Sequence, residues 1–156
     1  MKWNLRELGE DCFVSYLEGE VTGQLKVFPA WGFSEPEYPC AVVRAGGLAP
    51  IVEGADWHDA RYCDFEIVVM TDAADEIDAQ GNIVKSARDR HSDASTLVLA
   101  ALFKSGLLES VNGKATTGIA FSMAQAKESE PDVDAEQKKL ITRITVETIV
   151  EPVTGS

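Results

Sequence analysis

One stretch, residues 63–108, limits what this chain can fold into. Cys63-Asp-Phe-Glu-Ile-Val-Val-Met-Thr71 alternates at first and then turns continuously apolar. Phe65, Ile67 and Val69 point one way, and Val68 and Met70 the other. β-Branched and aromatic residues at period two suit a pleated surface, and apolar residues on both faces put this strand inside a sheet. After an acidic loop, Val84, Ala87, His91, Ala94, Val98, Ala101 and Leu102 recur at helical spacing and form one face, which the sheet can bury. The spacing predicts a helix over 84–105, with Lys104 in its last turn and Gly106 just past its end.

The other elements arrange themselves around this unit. Leu5, Leu8, Cys12, Phe13, Tyr16 and Leu17 form the apolar stripe of a helix over 4–20, with Asn4 as its N-cap and Glu7 in a loose capping box. Short strands are predicted over 25–30, where Pro29 suits an edge or an end, and over 40–44. Residues 46–61, with Gly46, Gly47, Pro50 and Gly54, read as an irregular excursion, and Leu107 to Gly113 as a short turn capping the core. Residues 117–126 and 139–150 read as a hairpin, joined by an acidic segment, 127–136, too long for a tight turn. On the final strand Leu140, Ile144, Val146 and Val150 face one side, and Ile141, Arg143, Thr145, Glu147 and Ile149 the other. The predicted class is α+β: a mostly antiparallel sheet of about four to five strands packed by the N-terminal helix and one long central helix. The length fits a single domain over 1–156, with 1–3 and 151–156 loose.

Composition narrows the function. A net charge of −12 opposes a surface that grips duplex DNA, because phosphate binding needs clustered Lys and Arg. No run is long or apolar enough to cross a bilayer, and Met1-Lys-Trp-Asn-Leu-Arg6 lacks the apolar centre of a signal peptide, so a cytoplasm is the expected place of folding. Cys12, Cys40 and Cys63 are widely spaced and read as buried thiols; with two histidines at no short spacing they make no zinc site. Asp72, Asp75, Glu76 and Asp78 lack the spacing of a calcium loop and read as a solvated, protruding loop. His58 and Cys63 have the chemistry of a base and a nucleophile, but Cys63 opens an apolar strand, where burial disfavours the thiolate. His91, on the helix stripe, reads as a satisfied core or interface histidine. Glycine-rich phosphate loops and nucleophile elbows are absent. Hence no catalytic, cofactor-binding or metal-binding residue is expected, and no cofactor.

Contact surfaces remain. Trp31, Phe33 and Tyr38 crowd a proline-punctuated loop; such aromatics either fold back onto the core or form a partner-contact patch. Lys138, Lys139 and Arg143 form a cationic patch beside the last strand, opposite in sign to Asp72, Asp75, Glu76 and Asp78. Arg143 shares its face with Ile141 and Ile149, which need cover. These two patches are the candidate subunit interface.

The order of elements resembles the tail terminator (tail completion) proteins of long-tailed bacteriophages over residues 4–150. The resemblance is carried by the N-terminal helix and short strand with Pro29, by Tyr38-Pro-Cys-Ala-Val-Val43, and by Phe65-Glu-Ile-Val-Val-Met70 ending in Thr71-Asp72. The helix from Arg90-His91 to Phe103, with Leu107-Leu108 and Val111-Asn112 after it, and the closing pair of strands complete it. It implies a non-enzymatic α+β subunit of a hexameric ring in the virion neck and tail, assembled in the host cytoplasm. Its partners would be its own copies, the tail tube protein and the head–tail connector. DNA would pass through the lumen without specific binding, and no membrane is involved. An acidic lumen repels phosphate and lets DNA slide. The loops at 46–61, 72–82 and 127–137 depart from a minimal version of that fold and are expected to contact partners or to be tolerated insertions. The competing readings are another neck or tail component, such as a head-closure or tube protein, and, from a different class, a small cytoplasmic α+β enzyme using Cys63 or His58.

Overall fold

The computed structural model describes residues 4–30, 37–54, 59–115, 118–134 and 138–153. Its elements are α1 (Leu5–Glu20), β1 (Lys26–Pro29), β2 (Cys40–Pro50), β3 (Arg61–Asp72), β4 (Glu76–Ile77), β5 (Ile83–Lys85), α2 (Ala87–Leu102), α3 (Leu107–Asn112), β6 (Ile119–Asp134) and β7 (Lys139–Pro152). The main sheet has the order β1-β2-β3-β7-β6; only β1–β2 is parallel. The helices cover one face, and the class is α+β, as the hydrophobic periods imply.

The alternation in β3 does what its sequence requires. Cys63, Phe65, Ile67 and Val69 are buried against the helices, together with Ile144, Val146 and Val150 of β7. Asn4 caps α1 through its Oδ1, which accepts from the amides of Arg6 and Glu7 at 3.2 and 3.3 Å. Gly9 lies where α1 crosses Phe65: a Cβ there would sit 2.3 Å from the ring's Cζ. Phe13 then packs on Phe65 with centroids 4.8 Å apart, and edge-on to Phe121 of β6 at 5.6 Å. Tyr16 donates its hydroxyl to the Ala101 carbonyl at 2.6 Å, tying α1 to the end of α2.

Several boundaries differ from the sequence-based expectations. β2 continues through Gly46 and Gly47 to Pro50 across a bulge between Ala45 and Leu48; at Gly46 a Cβ would lie 2.9 Å from the Asp64 carbonyl oxygen, so glycine is what lets the strand stay paired. The acidic loop is partly a two-stranded ribbon, β4–β5, so Val84 belongs to β5 and not to the helix. The helix begins at Ala87 because Ser86 caps it, accepting from the Asp89 amide at 3.1 Å, and it ends at Leu102, while Gly106, at φ +84°, opens α3. β6 runs on to Asp134 through residues expected to form a loop, because β7 offers a ladder along its whole length. Bulges between Phe121 and Met123 and between Ala126 and Glu128 shift its register, so Met123 pairs opposite Ile149 and not on the face of Phe121. β7 itself continues to a buried Pro152, two residues into the expected tail.

Two substitutions test this packing. Leu102→Ala, at a side chain 1% exposed, should lower stability by about 2–5 kcal/mol in urea unfolding. Gly9→Ala should also destabilise, by about 1–3 kcal/mol, because the overlap with Phe65 outweighs alanine's better helix propensity. A stabilised Gly9→Ala protein would mean that α1 does not rest on Phe65.

Candidate assembly surface

Sheet periodicity sends one set of side chains away from the helices, and no described helix covers them. Cys40, Val42, Met70 and Ile141 bury one another there, with Phe28, Tyr38 and Val68 partly buried around them. Beside this cluster lies a groove of about 510 Å³. Val42, Val68 and Met70 form its apolar wall; Arg44, Glu66 and Arg143 of the sheet bring charge to it, as do Arg6 and Glu10 of α1, where the groove reaches the edge of β2. Arg143 lies between Val68 of β3 and Glu130 of β6 in the strand register.

The other residues singled out by sequence divide into distinct groups. Lys139 holds its ammonium 5.6 Å from the centroid of the Tyr38 ring, and its Cα pairs with that of Asp72. Lys138 is exposed, at φ 53°, and its carbonyl accepts from the Ala73 amide at 2.9 Å. Three of the four acids are engaged within the subunit. Asp72 pairs with Arg90 at 2.9 Å; Asp75 accepts from the Ala87 amide at 2.7 Å; Asp78 accepts from the amides of Gln80 and Asn82, both at 2.9 Å. The hydrogen bond donated by the Asn82 amide, helped by the one from the Gln80 amide, holds the Asp78 carboxyl below the usual aspartate range. Glu76 is exposed. Trp31, Phe33 and His58 lie outside the described residues. Cys63 is fully buried, and burial pushes its thiol up to about 11, far from a nucleophile's thiolate.

Sequence reasoning did not single out several other residues on these surfaces. Ile77, Ile83 and Val84 stand on the β4–β5 ribbon, each 62% exposed. Their signal was present: two apolar positions flank the Gly81 turn, the pattern of a hairpin with a short glycine-containing loop. Arg6 and Glu10 were hidden because they act on the edge of β2 beyond the reach of β1. Arg6 donates to the Ala45 carbonyl at 3.2 Å, and Glu10 Oε1 accepts from the Ala45 amide at 2.8 Å. Glu10 is 6% exposed; desolvation raises its pKa, opposed by the Ala45 bond and by Arg6, and its Oε2 has no hydrogen-bond partner among the described residues. At the opposite edge Asn112 does the same for Phe121, donating to its carbonyl at 2.8 Å and accepting from its amide at 2.9 Å.

His91 lies against the helix face of the sheet. Its Nδ1 is 2.8 Å from Thr71 Oγ1 and its Nε2 2.7 Å from Thr142 Oγ1, with Ser95 Oγ at 3.2 Å. A neutral ring donates at one nitrogen and accepts at the other, and hydroxyls serve both roles. Burial lowers its pKa below 6.5.

No family model and no curated protein matches the chain. Among solved structures it is similar to a chain of the virion of a native gene transfer agent particle, with a TM-score of 0.53 and 14% identity, covering 96% of this chain and 99% of that one. The likeness of overall fold thus extends over nearly the whole of both chains.

The histidine yields a pH prediction. Folding disfavours its protonation, so the unfolded chain binds the proton first as pH falls. Its stabilising contribution is complete well above 6.5 and declines as pH drops through 6.5 towards the lower folded value. Glu10, with a raised pKa, acts in the opposite sense near the carboxylate range. His91→Gln removes only the first effect. Between about pH 7.5 and pH 5.5 the melting temperature of the wild type should fall more than that of His91→Gln; parallel curves would show that His91 is free to protonate in the fold.

Proposed function

We propose that this protein is a structural virion subunit that closes into a ring, hexameric as in the tail terminators it resembles. The ring would cap the tail tube, stop its growth and present a surface to the head–tail connector, with DNA passing through the lumen. The observation that carries the reading is the likeness of fold to a chain of a gene transfer agent virion, which spans nearly the whole of both chains. The order of elements that resembles tail terminators supports the finer role. The uncovered sheet face supports self-assembly: a closed ring needs a heterologous interface, one patch meeting a different patch on the next copy. Partly buried apolar side chains beside Arg143 are suited to that, since a planar guanidinium can pair bidentately with a carboxylate while its stem packs on apolar neighbours. The acidic balance suits a lumen through which DNA slides. The high pKa of Cys63 weighs against the enzyme reading. The site of action is the neck or tail of the virion, after assembly in the host cytoplasm.

Light scattering and negative-stain microscopy of the purified chain test this reading. A discrete ring is the expected species. A monomer at every concentration, alone and with tube protein, would overturn it; open-ended tubes would favour a tube protein instead. Arg143→Glu should raise the dissociation constant of the ring by about tenfold or more, with the unfolding midpoint unchanged. Sedimentation at low and high salt reads this; identical wild-type and variant distributions at both would remove Arg143 from the interface.

A further inference from the structure

We propose that the β4–β5 ribbon of one copy seats in the far-face groove of the next and forms the head-to-tail contact of the ring. This contact rests on the ring reading above and gives it a specific geometry. The ribbon concentrates Ile77, Ile83 and Val84, three of the most exposed large apolar side chains described, on a two-stranded element that is too small to have a core of its own. Such a hairpin is marginal in water, and clustered apolar exposure marks a contact surface. The ribbon is nevertheless held in place. Arg90 grips its base through Asp72 and through the Ala74 carbonyl at 2.6 Å, Asp75 accepts from the first amide of α2, Lys85 pairs with Asp93, and Asp78 ties the turn. A pre-ordered apolar element loses little entropy on docking.

The groove complements it. Val42, Val68 and Met70 supply an apolar wall, and Arg44 and Arg143 line it as well. The ribbon brings Glu76 beside its apolar residues. Among the described residues, Glu10 and Glu66 line the groove with these arginines, and Glu130 lies across from Arg143. A subunit's own ribbon contributes no residue to this groove: it is fastened to α2, on the helix side of the sheet, whereas Val42, Val68 and Met70 of the groove face the other side. The contact is therefore heterologous, as ring closure requires. Strand addition is the alternative route, and both sheet edges are blunted against it. β1 is four residues long and ends in Pro29, and β6 carries two bulges, Lys127 and Pro131.

A cysteine pair in the full-length chain tests the contact. Ile83→Cys combined with Val68→Cys, oxidised under mild conditions, should give a ladder of linked multimers on non-reducing gels, because opposed Cβ atoms in a seated ribbon come within disulfide reach. The native cysteines are buried and leave the background low. Either single variant should give no ladder. Ile83→Asp should weaken assembly about tenfold or more without changing the melting temperature. If the ring forms by light scattering but the double variant gives no ladder, the contact is wrong and the ring reading stands. If Val68→Cys resists thiol reagents in dilute monomer, the chain's own residues fill the groove and the contact is again wrong. If no oligomer forms at all, the ring reading falls, and this contact with it.

Discussion

The rest of the structure depends on how closely α1 lies on the Phe65 ring. Glycine at position 9 leaves out the Cβ that would collide with that ring, and Phe13 one turn later closes over the same ring. Phe121 from the far edge strand completes the group, 6.3 Å from Phe65. Three elements distant in sequence thus meet at one point: the first helix, the central strand and the closing hairpin. The remaining ties follow from that depth. The Tyr16 hydroxyl reaches the Ala101 carbonyl, and the Cys12 thiol lies 3.1 Å from the Val111 carbonyl, so α2 and α3 take their positions from α1.

With the helices set, the polar groups they carry finish the sheet. Arg6 and Glu10 occupy both hydrogen-bonding groups of Ala45 at one edge, and Asn112 both of Phe121 at the other. Each bond contributes on the order of 0.5–1.5 kcal/mol net, but an open backbone edge would also invite a second chain. Glu10 is buried at some cost, which its raised pKa records, and the cost is tolerated where the strand would otherwise be unpaired. The same economy of polar groups explains His91: set among three hydroxyls, it orders the contact of α2 with β3 and β7.

A sheet dressed with helices on one face only leaves the other to be explained. Its small apolar cluster is shielded by its own neighbours and by Tyr38, over which Lys139 rests. The groove beside it sets arginines and glutamates against an apolar wall. The acids that looked free in the sequence are mostly structural. They brace a ribbon that exposes Ile77, Ile83 and Val84.

Hydrophobic period, capping and length were enough to determine the α+β class, the N-terminal helix with its Asn4 cap, the facing of β3 and β7, and the buried state of Cys63. These follow from local rules, in which a residue's spacing decides which side it faces. Element ends did not follow from them. β2 passes two glycines because β3 lies alongside, and β6 stays extended through an acidic stretch because β7 pairs with it. The groove on the helix-free face was half legible. Arg143 was placed on the correct strand face by alternation, whereas the groove beside it needs Val42 and Arg44 from one strand, Glu66 and Val68 from a second and Arg143 from a third. Only tertiary structure decides such a meeting, because strand order and register are set by packing across the whole sheet and not by any one segment's period.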